Sequence, residues 1–121
     1  MAEFLVIRLG ADENAPASWI AVDDAGTRRT PPVIGPLEEA IKDVADREVI
    51  VLVPAAETST LTCDLPAKGA RLRAALPFAL EEQVADEIEN LHFAPGARRA
   101  GGNLPVVVVA HDSMSRWLER L

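Results

Sequence analysis

Two aliphatic runs limit what this chain can fold into. Residues 48–53 have the sequence EVIVLV and residues 104–110 have the sequence LPVVVVA. Each run is long enough for one β-strand and too short to span a membrane. Neither alternates with polar residues, which is typical of a strand covered on both faces. We therefore predict two buried strands, of which residues 48–53 form a central one.

Shorter segments predict the remaining strands. Residues 58–65 alternate threonine or aspartate with Leu61, Cys63 and Leu65, which indicates a strand with one wet face. Residues 88–94 also alternate, and the glycine-rich loop that follows predicts a hairpin with residues 104–110. The other predicted strands are residues 4–9, their neighbour at residues 18–23, and a short strand near residues 28–33.

Helices are predicted in three places, and their positions indicate the fold class. The first helix starts at Pro36, and its apolar face consists of Leu37, Ile41 and Val44. The last starts at Asp112 as its N-cap. Its apolar face consists of Met114, Trp117, Leu118 and Leu121. The order β, β, β, α, β, β, α, β, β, α is typical of a layered α/β domain.

The middle helix is predicted over residues 67–86 and is interrupted by Pro77. Its apolar stripe consists of residues at every fourth position: Leu72, Leu76, Leu80 and Val84. Pro77 removes a backbone donor and clashes with the carbonyl of Arg73. We therefore expect a kink, or a break into two helices, near Leu76.

The opposite side of this helix is acidic and carries one aromatic residue. Five carboxylates and no basic residue occur between Pro77 and Ala94. A solvated face is the ordinary explanation, whereas an exposed Phe78 rimmed by charge is typical of an interface anchor. Phe78 either stands on this face or is rotated into the core by the kink. The candidate partner-binding residues are Phe78, Glu81, Glu82, Ala85 and Asp86.

Charge and cysteine content restrict the classes of function. The 121 residues suffice for one domain with a hydrophobic core. Twelve basic and 19 acidic residues give a net charge of −7, which opposes binding to phosphate backbones and anionic lipids. We therefore expect no nucleic-acid partner and no direct membrane contact. The single cysteine, Cys63, allows no intrachain disulfide.

Residue sets that would support catalysis are missing from the sequence. His111 and Asp112 resemble part of a metal-dependent phosphohydrolase site, but the chain has only one other histidine, and helix capping by Asp112 explains the pair. Cys63 would need a nearby base to act as a nucleophile, and His92 lies on a different predicted strand. Neither a P-loop nor a GxGxxG motif occurs. We expect no catalytic residue, no metal and no cofactor.

The segment around Pro77 also resembles a known protein family. Residues 75–83, ALPFALEEQ, followed by residues 91–94, LHFA, are similar to the cytoplasmic domain of type II secretion system protein L, the GspL or EpsL family. The likeness is strongest over residues 49–110, and the order of elements on either side agrees. It implies an actin-like, ribonuclease-H-like fold with a mixed sheet and flanking helices. Because the sequence ends inside a predicted helix, we expect residues 1–121 to be the N-terminal cytoplasmic subdomain of a longer chain.

The family resemblance implies a scaffold rather than an enzyme. It implies a place on the cytoplasmic side of the bacterial inner membrane, with a transmembrane anchor outside residues 1–121. It further implies that the domain recruits the secretion ATPase, protein E, through that ATPase's N-terminal domain. The longer chain would also contact protein M and another copy of itself.

Two other functions remain open from the sequence. Actin-like ATPases place an acidic residue in the turn after strand 1 to hold metal and phosphate, whereas this chain has Arg8 and Gly10 there. Asp12 and Asp23 lie nearby but lack the glycine-rich context. An actin-like nucleotide-binding or ATP-hydrolysing domain is therefore the alternative, and a self-associating structural domain is the third. An exposed strand edge is a second candidate surface for a protein partner.

Overall fold

The chain forms two compact units, each built around a β-sheet. The computed structural model describes residues 2–99 and 101–121. The first unit runs to Pro54 and includes Arg120, and the second runs from Ala55 to Glu119 and includes Leu121. Strands and flanking helices occur in both halves of the sequence, so the predicted mixed α/β class is confirmed.

The first unit contains a four-stranded sheet in the order β3-β2-β1-β4. Its strands are β1 (Glu3–Arg8), β2 (Ala17–Asp23), β3 (Val33–Gly35) and β4 (Glu48–Leu52). Strands β1, β2 and β3 are successive antiparallel neighbours, whereas β4 pairs in parallel with β1. The predictions for β1 and β2 are confirmed to within one residue at each end.

The third strand and the helix after it differ from the predictions. Strand β3 begins only at Val33, because the two prolines before it have no N–H to donate to a ladder. The following helix is a 3₁₀ helix, Leu37–Asp43, rather than an α-helix. Its tighter turn changes the buried position, so Ala40 is buried and Ile41 is 74% exposed. The predicted apolar face was therefore wrong at Ile41, whereas Leu37 and Val44 are half-buried.

Strand β4 contradicts the prediction of a central strand covered on both faces. It lies at the edge of the sheet, and β1 is its one neighbour among the described strands. Four aliphatic side chains in and just after β4 are 38–49% exposed: Val49, Ile50, Leu52 and Val53. The aliphatic run thus predicted a strand correctly. The described residues around β4 do not bury its side chains on both faces, as the composition had indicated they would.

The second unit contains a three-stranded antiparallel sheet in the order β5-β7-β6. Its strands are β5 (Thr58–Cys63), β6 (Leu91–Pro95) and β7 (Leu104–Ala110). The predicted wet face of β5 is confirmed, since Thr60 and Thr62 are exposed while Cys63 is buried. The predicted hairpin of β6 and β7 is confirmed as well, and Ala100 in its loop lies outside the described residues. Strand β7 lies between β5 and β6, and its predicted burial is confirmed for all of its leucine and valine residues except Val107, which is 39% exposed.

Helix α1 (Gly69–Leu80) packs its apolar stripe into the core of the second unit. Leu72, Leu76 and Leu80 are buried and Val84 packs against the same cluster, so the predicted stripe is confirmed. The buried residues contributed by the strands and their ends are Cys63, Leu91, Leu104, Val106 and Val108. Burying each leucine contributes about 1.5–3 kcal/mol, which makes this stripe the main attachment of α1.

Pro77 does not break α1 into two helices near Leu76, so one of the two predicted outcomes was wrong. The α-helix continues through Pro77 to Leu80 and is followed by a 3₁₀ turn, Glu81–Gln83. Leu76 and Leu80 are 0% and 1% exposed, so packing on both sides of the proline holds the two turns on one core. The helix also ends earlier than predicted, because Val84 adopts an extended backbone with φ −117° and ψ 149°.

Helix α2 (His111–Arg120) begins two residues earlier than predicted. Ala110 occupies the N-cap position, so Asp112 lies in the first turn, where its carboxylate still favours the positive end of the helix dipole. Trp117 is buried as expected, whereas Leu118 and Leu121 are 64% and 58% exposed. No helix in residues 2–99 and 101–121 has the length and apolar composition needed to cross a membrane.

Candidate protein-binding site

Helix α1 directs Phe78 away from the core of its unit. Phe78 follows Leu76 by two residues, which places it about 200° around the helix from that buried side chain. Its side chain is 72% exposed. Because the helix continues through Pro77, Phe78 stays on the solvated face and is not rotated into the core.

The predicted acidic residues are all exposed, but they do not all lie on the helix. Glu81 and Glu82 belong to the 3₁₀ turn that continues from α1. Ala85 and Asp86 lie beyond Val84, where the backbone has become extended and then bends. The predicted helical face therefore consists of Phe78 with Glu81 and Glu82, and the other two residues belong to the segment after it.

The charges of α1 oppose its own dipole. Lys68 is the N-cap residue and Arg71 lies in the first turn, while Glu81 and Glu82 follow the last turn. A helix is stabilised by acidic residues at its N-terminus and basic residues at its C-terminus, which is the reverse of this arrangement. The stability of α1 therefore does not explain why carboxylates stand at this end.

These carboxylates have no ionic partner in the part of the chain that the structure describes. The ion pairs seen there involve Glu3, Asp23 and Glu57, and no hydrogen bond reaches the side chains of Glu81, Glu82 or Asp86. An exposed aromatic ring beside uncompensated carboxylates can bind a surface that has an apolar pocket and basic side chains around it.

The turn after β1, where actin-like ATPases hold phosphate, is closed by the chain itself. A Cβ at Gly10 would come within 2.6 Å of the Ala15 Cβ and 2.7 Å of the Pro16 carbonyl oxygen. The Asp12 carboxylate accepts hydrogen bonds from the backbone N–H groups of Asn14 and Ala15 at 2.8 and 2.9 Å. This turn is thus closely packed at Gly10 and uses two of its backbone N–H groups in hydrogen bonds to Asp12.

Asp23, the other acidic candidate near this turn, also serves the backbone. It accepts hydrogen bonds from the N–H groups of Ala25 and Thr27, both at 2.9 Å, and lies 3.6 Å from Arg29. The hydrogen bond from the Thr27 N–H is the main cause that lowers the pKa of Asp23. The Ala25 N–H and the positive charge of Arg29 lower this pKa further, whereas burial of the carboxylate raises it. Asp23 thus organises the turn after β2.

The residues considered for catalysis do not form a site. Cys63 pairs with Leu104 at one end of β7, whereas His92 pairs with Val109 at the other end. Five residues along a strand correspond to about 17 Å, so His92 cannot serve as a base for Cys63. His92 instead lies beside His111, with ring centroids 6.3 Å apart. Among the described residues, no three His, Cys, Asp or Glu side chains gather around a possible metal position.

One surface of the first unit was missed by the sequence prediction. Ile34 and Ile50 are 76% and 42% exposed, although the chain composition suggested that the aliphatic strands would be buried. The signal that could have identified it is the short, proline-preceded β3, which leaves Ile34 at the edge of the sheet.

Comparison with known proteins identifies a family. The family model of type II secretion system (T2SS) protein L matches residues 5–121. A type II secretion system protein L of Dickeya chrysanthemi is 36% identical over 120 residues, which cover 96% of this chain and 30% of that protein. The corresponding protein of Pseudomonas aeruginosa is 34% identical over 110 residues, covering 90% of this chain and 27% of that protein. The chain thus spans about a third of the length of these curated relatives.

A solved structure agrees with the sequence comparison. The cytoplasmic domain of EpsL, an inner-membrane component of the type II secretion system of Vibrio cholerae, matches with a TM-score of 0.73 and 25% identity. The match covers 98% of this chain and 52% of that domain. The EpsL domain has an actin-like fold, and the predicted fold class is confirmed at this level as well.

Proposed function

The chain belongs to the type II secretion system protein L family, and we propose that it is a noncatalytic adaptor that recruits the secretion ATPase, protein E. In this proposal residues 1–121 are the N-terminal subdomain of a longer, membrane-anchored protein and lie on the cytoplasmic side of the inner membrane. Its relatives are type II secretion system proteins L, and EpsL is an inner-membrane component of that system, which supports this placement.

The observation that carries the proposal is the exposed Phe78 beside carboxylates that lack partners. An aromatic side chain that is 72% exposed on a helix gains free energy when a partner removes it from water. Glu81 and Glu82 would meet basic side chains at the rim of the same contact, which would also relieve their unfavourable position at the helix end. Asp86 and Ala85 would extend the contact along the bend that follows.

Calorimetric titration with the N-terminal domain of the ATPase tests this surface. Phe78→Ala should weaken binding by about 2 kcal/mol, which is roughly 30-fold, because it removes the apolar anchor. The double variant Glu81→Lys/Glu82→Lys should weaken binding about tenfold or more, with a loss that shrinks at high salt. Ile34→Ala is the matched control, since Ile34 is an equally exposed apolar residue in the other unit.

Unchanged affinity of both folded variants would move the ATPase contact away from α1. Weaker binding of Ile34→Ala alone would place it on the first unit instead. Either outcome leaves family membership intact and rejects the assignment of the surface. For the longer chain, the proposal includes contacts with protein M and with a second copy at the membrane.

Nucleotide binding is the alternative function, because the EpsL domain shares the actin-like fold with nucleotide-binding proteins. The closed turn at Gly10 and the backbone hydrogen bonds of Asp12 argue against it. Titration with magnesium-ATP should therefore give no heat at micromolar concentrations. Saturable micromolar binding would favour the alternative over the adaptor.

A further inference from the structure

The two histidines of the chain meet at one end of the sheet in the second unit. His92 lies on β6 directly opposite Val109 of β7, and His111, the first residue of α2, follows Val109 by two residues. His92 and His111 therefore form a diagonal cross-strand pair, a spacing that aromatic side chains can bridge. Their ring centroids are 6.3 Å apart, and the ring planes are inclined by 67°.

Both imidazoles are exposed, while their backbones are held by regular structure. The ladder of β6 and β7 pairs Leu91 with Ala110, the residues that directly precede His92 and His111. Within the part of the chain that the structure describes, neither imidazole takes part in a hydrogen bond or an ion pair. The ring nitrogens can therefore bind a ligand without giving up another contact of the fold.

The separation of the two rings suits one divalent transition-metal ion. Neutral imidazole nitrogens are common ligands of Zn²⁺ and of its neighbours in the first transition row. With Zn–N bonds of about 2.1 Å, the ion would lie about 3.2 Å from each ring centroid, and a tetrahedral angle would bring the centroids to about 5.2 Å. Rotation of two exposed side chains can close the remaining distance of about 1 Å.

The charges around this pair are compatible with a bound cation. The net charge of −7 raises the concentration of cations near the protein. The dipole of α2 disfavours a cation beside His111, but Asp112 in the same first turn carries a compensating negative charge. Arg116, one turn further along α2, is paired with the Glu57 carboxylate at 2.6 Å. Its positive charge is therefore largely neutralised.

We propose that His92 and His111 form a surface site for one Zn²⁺ ion, with water in the remaining coordination positions. No third His, Cys, Asp or Glu side chain joins them among the described residues, so two imidazoles are the protein's whole contribution there. The bound ion links β6 to the start of α2 and stabilises this end of the sheet. This site departs from the expectation of no metal, and it is independent of the proposed binding of the ATPase.

Calorimetric titration with zinc chloride tests the site in protein that carries no histidine tag. One Zn²⁺ ion per chain should bind with a dissociation constant on the order of 10 µM, whereas Mg²⁺, which prefers oxygen ligands, should give no heat. His92→Ala and His111→Ala should each weaken zinc binding about tenfold or more, because one imidazole remains. The double variant His92→Ala/Ala94→His is the matched control. It keeps two histidines but moves one of them about 7 Å along β6, and it should bind zinc as weakly as the single variants.

Proton NMR shows whether both rings bind the same ion. The chain has two histidines, so the single variants assign their imidazole resonances, and zinc should shift both sets with the same concentration dependence. A zinc-dependent shift of one histidine alone would overturn the proposal, as would undiminished affinity of His92→Ala/Ala94→His or no saturable binding below about 1 mM. One ion per two chains, with dimers in sedimentation, would assign the ion to a contact between copies and would also overturn the site within one chain.

Discussion

The sheets of the two units differ in what they present on the side away from their cores. In the first unit that side is mostly aliphatic, with Arg8 and Ser18 among the apolar residues Phe4, Val6, Ile20, Ile34, Ile50 and Leu52. In the second unit β5 directs Thr60 and Thr62 away from the α1-covered core and directs Leu61 and Cys63 toward it. The threonine side suits water, whereas the aliphatic side does not.

This difference already exists in the strand sequences. Residues 58–63 alternate between polar and apolar side chains, and the strand has one wet face. Residues 48–52 do not alternate after Glu48, and β4 has exposed aliphatic side chains on an edge. A strand whose residues do not alternate between polar and apolar side chains needs other residues to pack on both of its faces. The described residues do not provide this packing for β4.

The largest expected effects test whether both units have equally tight cores. Leu5→Ala in the first unit and Leu76→Ala in the second should each lower the free energy of unfolding by about 2–5 kcal/mol, because both leucines are 0% exposed. Urea denaturation followed by circular dichroism measures the loss. Ile50→Ala and Phe78→Ala, at exposed positions, should cost less than about 1 kcal/mol. Equal losses at exposed and buried positions would contradict the assignment of inner and outer faces.

A smaller effect is expected from an arginine clamp in the second unit. The Arg98 guanidinium donates hydrogen bonds to the carbonyls of Leu65 and Ala67 at 2.8 and 2.7 Å, and so fixes the segment before α1 to the hairpin loop. Arg98→Ala should lower the free energy of unfolding by about 1–3 kcal/mol. Arg99→Ala removes the same charge at an exposed neighbour and should change it by less than about 0.5 kcal/mol. Equal losses would mean that charge, not the clamp, matters.

The smallest effect concerns the turn after β2 in the first unit and depends on pH. The pKa of Asp23 lies below its ordinary value of 3.8, so the ionised carboxylate stabilises the fold above that pH, and this contribution is lost as pH falls through the folded-state pKa. Asp23→Asn should therefore melt at a lower temperature than the original protein at pH 7, and the difference should narrow below pH 4. A difference in melting temperature that does not vary with pH would show that Asp23 acts only through its shape.

The sequence predicted which segments form helices and strands better than it predicted which residues pack around them. The stripe of Leu72, Leu76 and Leu80 follows helical spacing directly, so its burial could be predicted. The edge position of β4 depends on which strands pair, and pairing is set by distant residues that local composition does not reveal. The burial of Ala40 rather than Ile41 likewise follows from a 3₁₀ geometry that apolar spacing does not predict.

The candidate site was predictable in its residue types but not in its shape. The exposure of Phe78 follows from a helix that continues through Pro77, and it is packing at Leu76 and Leu80 that holds this helix together. The helical conformation ends before Val84, whose backbone is extended and whose side chain packs against the core. Helical periodicity alone therefore could not separate the carboxylates of the turn from those of the following bend.

Phe78 and Ile34 are exposed to a similar extent in different units, but only Phe78 is assigned to the ATPase contact. Photo-crosslinking tests that assignment most directly, with a photoreactive amino acid placed at position 34 or at position 78 and the N-terminal domain of the ATPase added. We predict a crosslink to the ATPase from position 78 and none from position 34. A crosslink to the ATPase from position 34 and none from position 78 would contradict the assignment.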